Sequence, residues 1–210
     1  MTREGNRFRN QHLLGLFNEK LLFRMKRNMV ILALGANIDG AWGAPEETLK
    51  RCLNVLKVQG FSAIRTSPLY LTRAHGAVRQ PPYLNAVLQA ICANTPRQTI
   101  ELFKQNERCS GRRLVGRNGP RPLDIDLLDY AGRVVNWGAG HPRPKLVLPH
   151  PLLAERAFVL VPLVDLAPDW RHPVSGLTAH QLLIRQGGRR KFMLRREIFQ
   201  VDHSLGSCDI

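Results

Sequence analysis

Two acidic residues separated by a single residue stand inside an apolar run, and this arrangement most constrains how the chain can fold. Asp124 and Asp126 alternate with Leu123, Ile125 and Leu127. Because side chains of a β-strand alternate between faces, the pattern predicts a strand that points both carboxylates to one face, roughly 6.5–7 Å apart at their Cα atoms. Two carboxylates buried together without partners would repel each other and lose hydration. We therefore expect this face of the strand to line a cleft and not to pack into the core.

A divalent cation would satisfy both carboxylates. Mg²⁺ takes oxygen ligands, keeps several waters and typically uses one or two carboxylates together with substrate phosphates. Guanidinium groups, which suit phosphate oxygens, are supplied nearby by Arg112, Arg113, Arg117 and Arg121. The combination indicates metal–nucleotide chemistry. The residues alone leave one alternative open, in which the aspartates lie on a solvated strand edge or only form salt bridges with these arginines.

The size and composition of the chain fit one soluble domain of mixed α and β structure. It has 210 residues, of which 44% are hydrophobic, enough to bury a core. No apolar run approaches the roughly 20 residues that span a bilayer. Its cysteines show no paired metal spacing and no disulfide framework, which suits a reducing cytoplasm; they are Cys52, Cys92, Cys109 and Cys208. A cytoplasmic location is expected.

The formal net charge of +15 raises the possibility of nucleic-acid binding, so its distribution matters. Residues 1–28 contribute +5 and residues 185–210 contribute +3, which leaves +7 for the segment between them. Many of the central arginines lie in residues 108–121, close to the carboxylate pair. This distribution favours a polyphosphate substrate over a nucleic-acid track.

The same distribution divides the chain into three parts. Residues 1–28 are a basic extension, interpreted as disordered or as an over-extended reading frame, and its removal is expected to leave folding intact. Residues 29–185 are the predicted catalytic domain, and residues 186–210 a basic C-terminal tail.

The periodicity of apolar residues and the turn signals predict the elements of this domain. Strands are expected at residues 29–35, 61–65, 67–71, 83–92 and 123–130, and helices at residues 45–58 and 96–109. With the adjacent short strands 61–65 and 67–71 counted as one, this β-α-β-β-α-β order is the ferredoxin-like pattern, an α+β fold with a mostly antiparallel sheet. Its helices would cover one face, with additional C-terminal elements beside the sheet. Those elements are a loop at 131–145, a short helix at 152–155, a strand or buried segment at 157–163 and a final helix at 178–185.

Several short motifs occur in a fixed order over residues 30–183. The motifs are Leu34-Gly-Ala-Asn37, Gln80-Pro-Pro-Tyr-Leu-Asn85, Glu107 with Gly111-Arg112, Gly119-Pro-Arg121-Pro-Leu-Asp124-Ile-Asp126, Leu148-Pro-His150-Pro, Glu155-Arg156-Ala-Phe158 and Ala167-Pro. Each piece alone is weak, but together, in this order and spacing, they are specific. The chain resembles the 6-hydroxymethyl-7,8-dihydropterin pyrophosphokinases of folate biosynthesis.

The resemblance implies a reaction and a set of site residues. Such enzymes transfer pyrophosphate from ATP to the hydroxymethyl group of the dihydropterin and release AMP. The resemblance implies two Mg²⁺ ions held by Asp124 and Asp126, and phosphate contacts from the catalytic residues Arg112 and Arg121. It also implies an ATP site and a pterin site. The ATP site would include Glu107, His150 and Arg156, and the pterin site Thr72, Tyr83, Asn85 and Phe158.

The residue chemistry agrees with these implied roles. Phosphoryl-type transfer depends on positioning and charge neutralisation more than on a covalent nucleophile. A flat polar heterocycle suits an aromatic face and an amide partner, which Phe158 and Asn85 would supply. Each position also has an ordinary structural interpretation: Phe158 as core, His150 as a turn cap, and Glu107 as a solvated helix end.

The chain departs from the family pattern at four positions. Leu114 stands where a second arginine is usual, and Asn118 replaces a common tryptophan before Gly-Pro-Arg. Ala74 replaces a loop proline, and Ala36 replaces a serine in the first turn. None of these changes removes a predicted metal ligand, so they bear on rate and nucleotide affinity more than on reaction type.

Two other functions are alternatives for a chain of this composition. A basic ferredoxin-like RNA-binding module would need exposed aromatic residues on its sheet for base stacking, and the aromatic residues here are scattered singly. A catalytically weakened family member would be expected to lose Asp124, Asp126, Arg112 or Arg121, all of which are present. The expected partners are therefore the small molecules ATP and dihydropterin, with no membrane or nucleic acid, and the protein is expected to be a monomer.

Overall fold

The structure of the protein is a computed structural model. The structure describes residues 28–73, 80–113, 119–139 and 145–187, together with the backbone of residues 195–197. In this part of the chain, no helix is both long enough and apolar enough to cross a membrane.

The order of elements predicted from the sequence is confirmed. The elements are β1 (Met29–Ala36), α1 (Pro45–Val58), β2 (Phe61–Thr66), β3 (Leu69–Thr72), β4 (Tyr83–Cys92), α2 (Pro96–Cys109) and β5 (Asp124–Tyr130). Strand β1 pairs antiparallel with β4 on one side and with β5 on the other. Strands β2 and β3 follow one another along the far edge of β4. The predicted ferredoxin-like α+β fold is therefore confirmed.

The C-terminal part adds further elements. They are a short 3-10 helix at Leu153–Glu155, α3 (Ala157–Leu166), α4 (Ala179–Arg185) and the strand β6 (Arg195–Glu197). Strand β6 pairs antiparallel with β3, so a segment that the sequence analysis assigned to a basic tail extends the sheet.

Helix α3 corrects part of one prediction, because residues 157–163 were expected to form a strand or buried segment, and they are mostly buried but do not form a strand. They belong to a ten-residue helix in which seven residues are buried, including Pro162 inside the helix. A short run that is apolar at every position has no periodicity that separates a buried helix from a buried strand. Packing against the sheet therefore decides between the two, and this segment forms a buried helix.

The C-terminal helices also correct the predicted layering, which placed helices on one face only. Helices α1 and α2 pack on the face that carries Val30, Leu32 and Leu34. Helices α3 and α4 pack on the opposite face, which carries Ile31 and Val87. Strand β1 is apolar along its whole length, and such a strand needs cover on both faces.

Candidate active site

A cavity of about 410 Å³ opens at the end of the central strands, on the face covered by α3. Its lining residues come from β1, β3, β4, β5 and the start of α3, and they are Ala33, Leu34, Gly35, Thr72, Arg73, Tyr83, Asn85, Arg121, Asp124, Asp126, Leu152, Glu155, Arg156 and Phe158. Eight of the eleven predicted site residues are in this set. The other three, Glu107, Arg112 and His150, lie directly behind it.

The carboxylates at the start of β5 point to the cavity as predicted. Asp124 and Asp126 each retain 28% side-chain exposure, whereas Ile125 between them is buried. We call the part of the cavity around these carboxylates, with Arg112, Arg121, His150 and Arg156, the charged half.

Two arginines share the carboxylate of Asp124. The Arg112 guanidinium lies 2.6 Å from Oδ1, and that of Arg121 lies 3.1 Å from Oδ2. Burial alone would raise the pKa of Asp124, but the two positive charges and their hydrogen bonds outweigh burial and hold that pKa below its usual value. Asp124 is therefore an anion at neutral pH, and both arginines are fixed at the cavity.

Helix α2 ends in a turn that delivers Arg112 to this position. The amide of Gly111, which has a φ of 91°, donates to the carbonyl of Arg108, and the amide of Arg112 donates to the carbonyl of Glu107. These two bonds form a Schellman motif, which favours glycine at the left-handed residue. The helix end that the sequence predicts at Gly111 therefore places Arg112 at the cavity.

Glu107 anchors Arg112 from below the cavity. One oxygen of its buried carboxylate lies 2.7 Å from the Arg112 guanidinium and accepts from the backbone amide of Ile125 at 3.0 Å. The other oxygen accepts from Lys104 at 2.9 Å. Burial raises the pKa of Glu107, and these bonds oppose the rise. Glu107 is therefore not a solvated helix end, and any effect on a nucleotide would pass through Arg112 or Lys104.

The second carboxylate is held by residues from the C-terminal part. Arg156 lies 2.8 Å from Oδ2 of Asp126, and Nε2 of His150 lies 3.9 Å from the same oxygen. Nδ1 of His150 accepts from the amide of Leu152, so Nε2 carries the ring proton toward the carboxylate. Burial lowers the pKa of His150, the charge of Asp126 opposes this, and Arg156 adds to it.

The other end of the cavity, which we call the slot, contains the four predicted pterin-site residues. The side-chain amide of Asn85 donates to the hydroxyl of Thr72 at 2.8 Å, and both side chains are buried. The hydroxyl of Tyr83 donates to the carbonyl of Gly119. Phe158 faces them from the first turn of α3, and the guanidinium of Arg156 lies 5.7 Å from the centre of its ring.

Asn37 connects the segment before β5 to the segment before β4, a role that was not predicted although this residue stands in one of the quoted motifs. Its buried side chain accepts from the amide of Arg121 at 2.8 Å and donates to the carbonyl of Pro81 at 3.2 Å. Its own backbone amide donates to the carbonyl of Arg121. A buried asparagine in a turn after a strand was the available signal, since such a group needs hydrogen-bond partners.

A second cavity of about 580 Å³ lies along the exposed side of α2. Its described lining combines basic and apolar side chains, and consists of Arg97, Ile100, Glu101, Lys104, Arg108, Asn136, Lys145 and Leu146. Lys104 belongs both to this lining and to the ion pair with Glu107. The cavity is therefore linked to Arg112 through two charged contacts.

The carboxylate pair fits a Mg²⁺ ion. Both aspartates offer oxygen atoms to one partly open cavity, beside guanidinium groups that suit phosphate. Within the described ranges, no group of three or more His, Cys, Asp or Glu side chains comes together in a way that would hold a metal. Mg²⁺ does not need one, because it keeps waters and shares substrate phosphates.

Three of the four departures from the family pattern, at Leu114, Asn118 and Ala74, lie outside the described residues, as does almost all of the predicted extension over 1–28. The fourth, Ala36, is buried at the end of β1. The RNA-binding alternative required exposed aromatic residues on the sheet, whereas helices cover both of its faces.

Comparison with known proteins identifies the family. A family model described as 7,8-dihydro-6-hydroxymethylpterin-pyrophosphokinase matches residues 31–168. The 2-amino-4-hydroxy-6-hydroxymethyldihydropteridine pyrophosphokinase of Synechocystis is 34% identical over 157 residues, which cover 73% of this chain and 73% of that protein. The mitochondrial folate synthesis bifunctional protein of Arabidopsis thaliana is 35% identical over 159 residues, which cover 76% of this chain. The chain spans only 27% of that bifunctional relative.

Solved structures support the fold. The crystal structure of wild-type Plasmodium falciparum HPPK-DHPS superposes with a TM-score of 0.55 at 14% identity, over 75% of this chain and 44% of that one. At this identity the likeness concerns the fold alone, whereas the family match confirms the resemblance inferred from the motifs.

Proposed function

The chain belongs to the 7,8-dihydro-6-hydroxymethylpterin-pyrophosphokinase family, and we propose that it transfers pyrophosphate from ATP to 6-hydroxymethyl-7,8-dihydropterin in folate synthesis. The products are AMP and the dihydropterin diphosphate. The observation that carries the proposal is the single cavity in which the charged half and the slot meet. One cavity with two such ends suits two substrates that must react with each other.

The charged half supplies the positioning and charge that this reaction needs. The pterin hydroxymethyl oxygen forms a bond to the β-phosphorus of ATP, and the bond from that phosphorus to the oxygen bridging to the α-phosphate breaks to release AMP. Arg112, Arg121 and Arg156 would orient the triphosphate and stabilise charge on the transferred group. Mg²⁺ held by Asp124 and Asp126 would neutralise phosphate charge when bound.

The nucleotide would extend from the charged half toward helix α2. His150 and Arg156 border one side of Asp126. The contacts from Lys104 through Glu107 to Arg112 lead to the second cavity. We infer that this cavity accepts the nucleoside end of ATP, since it offers apolar side chains for the base beside basic and polar ones.

The slot would hold the pterin. Phe158 offers an aromatic face for stacking, and Asn85 and Thr72 offer polar atoms for the edge of the ring. Burial of Asn85 supports this role, because a polar group inside a slot discriminates strongly against ligands that leave it unpaired. We propose a cytoplasmic monomer, and the free thiols Cys52 and Cys92 suit a reducing compartment.

A coupled assay for AMP tests the proposal. The purified full chain with ATP and Mg²⁺ should release AMP when 6-hydroxymethyl-7,8-dihydropterin is added and only slowly without it. Omitting Mg²⁺ should abolish the AMP release that depends on the dihydropterin. Release of AMP that does not depend on the dihydropterin, or no release with both substrates and metal, would contradict the assignment.

A further inference from the structure

Gly35 lies on the central strand, between the charged half and the slot. Its Cα is paired with that of Asn85 on β4 and with that of Asp124 on β5. Directly opposed residues on antiparallel strands point to the same face of a sheet, so position 35 shares the cavity face with the amide and the carboxylate. With neighbouring strands about 4.8 Å apart, Asn85 and Asp124 stand roughly 10 Å apart across Gly35.

The backbone does not explain why a glycine occupies this position. Gly35 lies outside the left-handed range of φ, whereas Gly43, Gly60 and Gly132 have φ values of 100°, 89° and 69°. A glycine inside a strand also weakens it, because glycine loses more conformational freedom on folding and has no side chain to pack. An alanine would therefore suit the strand better.

The space above Gly35 gives a different reason. A Cβ atom at this position would stand 3.4 Å from Oδ1 of Asn85, 3.8 Å from Cδ1 of Tyr83 and 4.0 Å from Cβ of Asp124. These are ordinary van der Waals distances, so the fold would accept the methyl group without moving its neighbours. The same methyl group would fill the floor of the cavity where its two ends meet.

We propose that Gly35 keeps this floor low, so that the hydroxymethyl arm of the pterin can cross from the slot to the phosphate in the charged half. The inference rests on the proposed function and adds to it the path of the reacting arm. A ring seated against Asn85 places its arm toward Asp124, and the line between these two residues passes over Gly35.

A methyl group on this floor interferes with the reaction more than with binding. Reacting atoms must approach to about 3–3.5 Å in line, and a misplacement of about 1 Å can cost on the order of a hundredfold in rate. The slot and the triphosphate contacts lie to either side of position 35, and neither is removed by one added carbon.

The experiment compares Gly35→Ala with Gly132→Ala in the full chain. Gly132 has a positive φ and nothing within 4 Å of an added Cβ, so its variant carries strain but stays clear of the cavity. For Gly35→Ala we expect an unchanged or raised melting temperature and affinity for a non-hydrolysable ATP analogue within threefold of the wild type. Turnover should fall about tenfold to a hundredfold, mainly in kcat. Gly132→Ala should show the reverse, a lower melting temperature with unchanged turnover.

Each other outcome counts against the inference. Turnover of Gly35→Ala within threefold of the wild type would overturn it, because the methyl group would then be tolerated on the reaction path. A large drop in its melting temperature would overturn it as well, because the glycine would then serve the fold. An inactive wild-type protein would instead remove the proposed function, and this inference with it.

Discussion

The charged half and the slot share one cavity but are built differently. The charged half joins long side chains from the end of α2, the start of β5 and the segment before α3 through ion pairs, as in the contacts from Glu107 through Arg112 to Asp124. Three of the four slot residues lie on strands, where register fixes their places, as for Asn85 beside Thr72, and helix α3 adds Phe158. We therefore expect the function of the charged half to be lost when a charge is removed, and the function of the slot to be lost when its shape changes.

The largest effect is expected in the charged half. Asp124→Ala or Asp126→Ala removes a proposed metal ligand and one carboxylate partner of the neighbouring arginines, so turnover should fall by more than about a hundredfold. Steady-state AMP release measures this loss. Asp169→Ala, at an exposed position, is the matched control and should behave as the wild type. Near-normal turnover in either cavity variant would show that the charged half does not act on the triphosphate.

The next effect is expected at Asn37, which holds Arg121 beside the charged half. Asn37→Ala leaves the amide of Arg121 and the carbonyl of Pro81 without their partner, at a cost of about 1–3 kcal/mol. Turnover should fall about tenfold or more, because Arg121 loses its position. Asn37→Asp keeps the acceptor for Arg121 and loses the donor for Pro81, so it should retain more activity. Equal losses in turnover for the two variants would show that the contact with Arg121 is not the important one.

The smallest effect is expected at His172, which belongs to neither half. Its Nδ1 accepts from the amides of Val174 and Ser175, and its ring packs against Trp137 and Trp170. Burial lowers its pKa, so its contribution to stability is present above the ordinary value of about 6.5 and is lost as pH falls below it.

Melting temperatures at pH 7 and pH 5 test this expectation. The wild type should lose a few degrees more on acidification than His172→Asn, whose side-chain oxygen can accept the same amides. Affinities for both substrates at pH 7 should not change. An identical loss of melting temperature in both proteins would mean that His172 does not titrate in this window.

The sequence predicted the placement of the two carboxylates because strand alternation carries that information, whereas the slot residues were implied only by the resemblance to the family. The alternation around Asp124 and Asp126 was enough to place both side chains on a cavity face. The sequence predicted the burial of residues 157–163 but not their helix, because an apolar run without polar positions has no readable period. The contacts of Asn37 and the burial of Glu107 join segments that are 84 and 18 residues apart, and no local pattern reports such pairings.

The central claim is that the two halves of one cavity bind different substrates, and crosswise binding titrations test it most directly. Asp126→Ala and Phe158→Ala are each titrated with a non-hydrolysable ATP analogue in Mg²⁺ and, separately, with a pterin. Asp126→Ala should weaken the nucleotide and spare the pterin. Phe158→Ala should weaken the pterin about fivefold, from about 1 kcal/mol of lost stacking, and spare the nucleotide. Equal losses for both ligands in both variants would contradict the division of the cavity.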